Sequence, residues 1–328
     1  MHAMAPPFHR AAVRCAAIAA LGLMLLMAGC ASTPTEAGPP MRPQQVAAHS
    51  YFVQGVSALG SPENRNFISN AGFVITDAGV VVIDALGSPA LAQALLDAIG
   101  RLTPQRVTHV IVTHYHADHI YGLQVFRDAG ARIVAHRAAR EYLASDTARL
   151  RLQASRTDLA PWIDEDTRLV EATDWIDGDT ELVVGGTRFL LRAVGPAHTP
   201  EDLIIDVPQE GVVFAGDLVF RGRIPFVGQA DSRHWIASLD KMLLSSPRVV
   251  VPGHGPHSEQ ATEDLRLTRD YLSFLREAMG QAARNLEPFD EAYARTDWSR
   301  FERMPLFGVA NRMNAYNTYL LMEQEALR

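Results

Sequence analysis

The chain has 328 residues, 48% of them hydrophobic and 20% charged, with a formal net charge of −7. That length and apolar share suffice to bury a large core, and they exclude a disordered tail, a collagen-like repeat or a coiled-coil rod; the acidic balance argues against an electrostatic nucleic-acid footprint. Cys15 and Cys30 are the only cysteines, so the body has no disulfide framework and no cysteine zinc finger, whereas the chain carries 12 histidines, several closely grouped.

In chain order, the first element is a targeting segment. Arg10 and Arg14 precede an apolar run over 16–28, which stops at Gly29-Cys30. A charged start, a short apolar stretch and small residues at its end form the pattern of a secretory signal over 1–29, too short to span a membrane comfortably. Met27-Ala28-Gly29-Cys30 resembles a bacterial lipobox, with Met27 where leucine is usual. The resemblance implies a lipidated Cys30 as first mature residue. Ala31 is not an inner-membrane retention aspartate, which favours an outer-membrane anchor facing the periplasm; without lipidation the chain is expected to be free in the periplasm. Residues 30–49 read as a flexible linker.

From residue 50 the pattern turns to short strands and helices. Strands are expected over 67–76 and 79–85, separated by the turn signal Asp77-Ala78. Leu91, Leu95, Leu96 and Ile99 give helical spacing over 89–99. Further strands are expected over 107–113 and 133–135, then one helix over 136–153. Residues 175–184 and 187–193 read as a hairpin turning at Gly185-Gly186. Strands over 203–207, 212–215 and 248–251 follow, with a helix over 231–244 between the last two. Helices are expected over 258–283 and 309–327. No close repeat is present, yet β-rich stretches with helices occur twice, over 50–153 and 175–283. That predicts two β/α halves packed sheet against sheet with helices outside.

The chemistry-bearing residues concentrate at strand ends. Residues 113–122 read Thr-His-Tyr-His-Ala-Asp-His-Ile-Tyr-Gly. His114 and His116 are two apart in extended chain, so their side chains share a side. Imidazole is the commonest ligand of zinc-like ions, and Asp118 and His119 follow at once. His198, Asp217 and His254 each come after an apolar strand, His198 and His254 within Gly/Pro turns.

These residues resemble the metallo-β-lactamase fold superfamily. His114, His116, Asp118 and His119 match its His-x-His-x-Asp-His signature, and His198, Asp217 and His254 match its later ligand positions, over about residues 50–283. The resemblance implies a four-layer αββα sandwich of α/β class, with 284–328 as a helical extension packed on the domain. It also implies a binuclear zinc site, iron or manganese being compatible with the same donors. One ion takes His114, His116 and His198, and the other takes Asp118, His119 and His254. Asp217 and a hydroxide bridge them. The hydroxide is the implied nucleophile, with Asp118 orienting it and carrying a proton. Asp84, after Val80–Ile83, matches an early superfamily aspartate that orients a ligand histidine, or it is a simple turn residue.

Within the superfamily, an aspartate at 217 replaces the cysteine or serine of true β-lactamases. The run from Phe214 to Phe226, with 234–239, 250–256, Asp270-Tyr271-Leu272 and Asn317-Thr318-Tyr319, is similar to the SoxH-like group, also called quinoprotein relay system zinc metallohydrolases. Together these features predict an exported hydrolase of ester, thioester or lactone-like bonds in a small, anionic or carbonyl-containing substrate. No nucleic-acid partner is expected, and membrane contact only through the lipid. The alternatives are a β-lactamase-like amide hydrolase and an iron-dependent persulfide dioxygenase. Arg221 and Arg223 are candidate substrate contacts or surface ion pairs. Tyr115 and Tyr121 are candidate mouth residues or core aromatics.

Overall fold

A computed structural model describes residues 1–2, 41–245 and 247–327. The targeting segment, Cys30 and most of the linker lie outside the described residues. Among the described residues no helix is long and apolar enough to cross a membrane.

The strands are β1 (Gln44–Gln45), β2 (Ser50–Val53), β3 (Ala71–Thr76), β4 (Gly79–Ile83), β5 (Val107–Ile111), β6 (Arg132–His136), β7 (Asp174–Ile176), β8 (Thr180–Val184), β9 (Thr187–Ala193), β10 (Leu203–Val207), β11 (Val212–Phe220) and β12 (Val249–His254). One sheet runs in chain order from β1 to β7, and the second is ordered β12-β11-β10-β9-β8. Strands β1 to β4 pair antiparallel and β4 to β7 parallel. In the second sheet only β11 and β12 pair parallel.

The helices are α1 (Pro89–Leu102), α2 (Ala117–Ile120), α3 (Leu123–Asp128), α4 (Ala139–Leu143), α5 (Asp146–Asp158), α6 (Ser232–Ser245), α7 (Ala261–Arg284), α8 (Phe289–Arg295) and α9 (Phe307–Ala326). Alternation along the strands builds the layers. Val81, Ile83, Ile111 and Val134 face Phe189, Leu191, Ile205, Phe214 and Val251 across the sandwich. Their neighbours Val80, Val82, Val110 and Ile133 pack outward with Leu91, Leu95 and Phe126 of α1 and α3. Val213, Ala215 and Val250 pack the other way, with Trp235, Leu272 and Ala315 of α6, α7 and α9. This is the predicted αββα sandwich.

Three expectations need correction. The helix expected over 136–153 is two, because Ser145 leaves helical geometry and caps α5 by accepting a bond from the Ala148 amide. The strand expected over 175–184 breaks at Asp177-Gly178-Asp179: β7 joins the first sheet and only β8 enters the hairpin. Strand β3 starts at Ala71 rather than Phe67, because Asn70 leaves the ladder and binds β12 of the other sheet, its amide donating to the Gly253 carbonyl and its side chain to the Pro252 carbonyl.

Candidate metal centre

The ligand residues gather at one edge of the sandwich, where β4, β5, β11 and β12 end or bend. His114 and His116 lie just beyond β5, Asp118 and His119 open α2, His198 sits before β10, and His254 ends β12. Asp217 departs from the sequence expectation: it lies inside β11 rather than at a strand end. Strand β11 runs on to Phe220, and its register with β12 shifts around Gly216. Gly216 has φ +49°, which a side chain rarely adopts, and that kink turns Asp217 to the edge. Gly253 is required next to it, since a Cβ there would lie 2.0 Å from Asp217 Oδ1.

Two clusters of donors result: His114, His116, His198 and Asp217 in one, Asp118, His119 and His254 in the other, with all ligand atoms within 4.8 Å of one another in each. In the first, His198 Nε2 faces His116 Nδ1 at 3.0 Å and Asp217 Oδ2 at 3.3 Å. In the second, His254 Nε2 is 3.4 Å and His119 Nε2 3.7 Å from Asp118 Oδ2. Asp217 belongs to both, its Oδ1 lying 3.2 Å from His119 Nε2 and its Oδ2 3.3 Å from His254 Nε2.

Ring orientations are set from behind. Asp84 accepts from the Thr113 amide and hydroxyl and from His119 Nδ1, each at 2.8 Å. The Thr113 hydroxyl, its proton committed to Asp84, accepts from His114 Nδ1 at 3.0 Å. His254 Nδ1 donates to the Ile68 carbonyl at 2.7 Å. In His114 and His254 Nδ1 carries the proton and Nε2 is left as a lone pair aimed inward; in His119 Nδ1 is held by Asp84, so that the proton a metal displaces is the one on Nε2. Asp84 does this from a left-handed backbone, φ 61°, uncommon outside glycine although aspartate is among the side chains that tolerate it best.

A pair of divalent ions fits this donor set. His114 Nε2, His119 Nε2 and Asp217 Oδ1 are buried with no hydrogen-bond partner, and lone pairs left facing one another are costly unless a cation sits between them. Burial and neighbouring imidazoles push His114 far down; burial and His198 push His116 down to about 3; burial lowers His198. All three are neutral at physiological pH, as ligation requires. Burial opposes a charge on His119, but Asp217, Asp118 and Asp84 outweigh it and raise its pKa well above the usual imidazole value. For Asp217, burial is outweighed by His254 and His119, and the carboxyl stays far below its ordinary range.

The other candidates separate. Arg221 is engaged away from the centre, donating to Asp264 and to the His257 carbonyl. Tyr121 is packed in the first half's core with its hydroxyl 3.4 Å from Ser155, and Tyr115 bonds the Val170 carbonyl; neither lines a mouth. Arg223 is 1% exposed. Its Nη1 lies 3.3 Å from His254 Nδ1, but that nitrogen donates to Ile68 and so cannot accept; Nη2 has no partner. Its charge rests on the faces of Phe220 and Phe226, and Phe220 also stacks on His254.

Sequence reasoning missed two asparagines. Asn70 donates to the carbonyls of Pro252 and Gly255, bracketing His254, and accepts from the Gly55 amide. Asn314, fully buried on α9, accepts from the Val227 amide and donates to the Pro225 carbonyl and the Tyr271 hydroxyl. It fastens the loop carrying Arg223 to the C-terminal helices. Neither has a signal in local pattern, because their partners are remote in sequence.

An αββα sandwich with this ligand set at one edge defines a class. A family model described as "Metallo-beta-lactamase superfamily" matches residues 64–254. The chain belongs to that superfamily and is a metal-dependent hydrolase. It is 29% identical over 198 residues to a "Metallo-beta-lactamase type 2" of Bacillus sp. (strain 170), covering 58% of this chain and 69% of that one. Its fold is similar to a metallo-beta-lactamase from Pontibacter korlensis, with TM-score 0.58 at 20% identity over 71% of this chain and 99% of that one. It is also similar to a stereoselective inverting sec-alkylsulfatase from Pseudomonas sp., with TM-score 0.68 at 18% identity. That match covers 86% of this chain but spans half of the other.

Two outcomes are expected. Asn314→Leu leaves the Val227 amide and the Pro225 carbonyl unpaired, which costs about 2–4 kcal/mol in urea unfolding; a loss under about 0.5 kcal/mol contradicts the fastening role. The proton on His119 dominates below its raised pKa and must leave before metal binds, so zinc affinity climbs as pH rises toward that pKa. Titration calorimetry near pH 7 in buffers of different ionisation enthalpy should show net proton release on zinc binding, and no release refutes the assignment.

Proposed function

We propose that the chain is an exported two-zinc hydrolase that cleaves an ester, thioester or lactone-like bond in a small anionic molecule. The observation that carries this reading is Asp217, which touches both groups of ring nitrogens: its Oδ2 lies 3.3 Å from His198 Nε2 of the first and 3.3 Å from His254 Nε2 of the second, and its Oδ1 3.2 Å from His119 Nε2. When bound, the ions would polarise the scissile group and acidify water. The side chains supply the rest. His114, His116 and His198 hold one position; Asp118, His119 and His254 hold the other. His116 and Asp118 are the only members of the set not fully buried, which orients the open side of the centre toward them. Burial opposes ionisation of Asp118, but His119 and His254 keep its carboxyl below the ordinary range, so it is a carboxylate ready to orient water and accept a proton. Arg223 adds a buried positive charge that makes no direct ion pair among the described residues, its attraction coming from the Asp217 and Asp118 carboxylates of the centre. Such a charge costs several kcal/mol to bury unpaired, and this favours a substrate with its own negative group.

A second reading is sulfate-ester cleavage. It is favoured by the alkylsulfatase likeness covering 86% of this chain and by the same unpaired Arg223. Export, a lipid on Cys30 and a link to a periplasmic quinoprotein or sulfur-oxidation system rest on sequence alone.

The test is a panel of carboxyl esters, thioesters, lactones, alkyl sulfates and a chromogenic β-lactam on zinc-replete protein, with mass spectrometry of the Cys30 peptide from the native host. The expected result is the highest kcat/KM on an anionic carboxyl ester or thioester, at least about tenfold reduced by Arg223→Gln, and a diacylglyceryl mass on Cys30. Turnover confined to alkyl sulfates transfers the assignment to the second reading. Turnover of the β-lactam alone, or an unmodified Cys30, contradicts the proposal on substrate or on anchoring respectively.

A further inference from the structure

Asp84 orients His119 and, through Thr113, His114. The other two rings of the first position have no such acceptor behind them. His198 Nδ1 is buried without a partner, and the ring partner of His116 among the described residues is His198 itself. His198 is wedged instead against Trp235 and Phe220, with ring centroids at 5.2 and 5.9 Å. That packing limits where the ring can lie, but it does not tie His198 to the chain that carries His114 and His116. Zinc takes imidazole nitrogens only at about 2.0–2.1 Å, so the spacing between these two segments has to be fixed by something else.

One side chain joins them. Glu201 comes three residues after His198 and is 5% exposed. Its Oε1 accepts from the Tyr115 amide at 3.1 Å, and Tyr115 stands between His114 and His116. No other acceptor takes that amide among the described residues. Beside it, the Leu203 amide donates to the Thr113 carbonyl at 2.9 Å. The two bonds bracket the backbone of His114, and both come from the stretch that follows His198. That stretch is itself closed. The Val194 and Gly195 amides donate to the Asp202 carbonyl at 2.9 and 3.2 Å. The Asp202 carboxylate accepts from the Thr199 amide at 2.7 Å and from its hydroxyl at 2.8 Å. Glu201 therefore reaches His198 through a tight loop rather than a slack one. A buried carboxylate is costly unless it serves a bond. Among the described residues Glu201 bonds no ligand side chain, so its bond serves to place ligands rather than to join them.

We propose that Glu201 is the positioning residue of the first metal position, fixing the chain that carries His114 and His116 against the loop that carries His198. The inference rests on the two-zinc reading above. Its effect is confined to one position, because the second is held by other means. The Ser69 hydroxyl donates to the Asp118 carbonyl, Asp84 holds His119, and the Ile68 carbonyl holds His254.

The test is zinc binding by the full-length chain in mild detergent, with chelator competition resolving two dissociation constants. Glu201→Ala should weaken one Kd at least about tenfold and leave the other within about threefold of wild type. Two backgrounds assign the position. With the second position disabled by Asp118→Ala, Glu201→Ala should weaken the remaining ion by the same factor; with the first disabled by His198→Ala, it should change nothing. Glu201→Gln keeps an oxygen for the Tyr115 amide and should bring both constants back to within about threefold of wild type. Where Glu201→Ala does not fold, Glu201→Asp, shorter by one methylene, is read in its place. Equal weakening in both backgrounds, no weakening in either, or Glu201→Gln as weak as Glu201→Ala overturns the proposal and leaves the two-zinc reading standing. A wild-type chain that binds no zinc overturns that reading and this inference with it.

Discussion

The centre is organised by acceptors that face one another. Ring nitrogens of five histidines and oxygens of two aspartates converge in one small space, and Asp217 joins the two halves of the set. Left alone, such buried lone pairs cost about 1–3 kcal/mol apiece; around two divalent ions the same atoms become a coordination shell. The fold works to maintain that arrangement. Asp84 endures a left-handed backbone to fix His119 and, through Thr113, His114. Gly216 kinks β11 and Gly253 leaves room, so that Asp217 reaches both groups. This is local strain and tight packing held by a sandwich whose strands nearest the centre, β4, β11 and β12, are buried on both faces.

Much of this was legible before any coordinates. The signature over 114–119 and the later His198, Asp217 and His254 were identifiable because metal chemistry restricts both residue type and placement after strands. The layer architecture followed from the doubled β/α pattern. What escaped had remote causes. Asn314 and Asn70 look like ordinary polar residues until the chain brings them to backbone groups far away in sequence. The position of Asp217 inside β11 was hidden because a kink at Gly216 looks like a strand ending. The break at Ser145 and the split of the 175–184 run were decided by a cap and a turn that outweighed apolar periodicity. Arg221 and Tyr121 sit near the motif in sequence, yet their side chains are engaged elsewhere; only Arg223 of those substrate candidates lies beside the centre, where Asp217 and Asp118 attract its charge.

The C-terminal helices are joined to the chemistry by hydrogen bonds rather than by mere adjacency. Tyr271 and Asn311 extend the Asn314 contacts across α7 and α9 to Tyr293 of α8. One polar network, buried between helices, therefore reaches the loop that presents Arg223. Fully satisfied networks of this kind rigidify what they touch, which suits a loop that must hold a buried cation still.

The central claim is that these side chains form a binuclear metal centre. Elemental analysis of the purified chain after zinc loading and gel filtration tests it most directly. About two zinc ions per chain are expected in the wild type and at most one in Asp217→Ala, which loses the shared ligand. Wild-type protein that is folded by circular dichroism yet retains no metal, or an Asp217→Ala variant that still holds two, contradicts it.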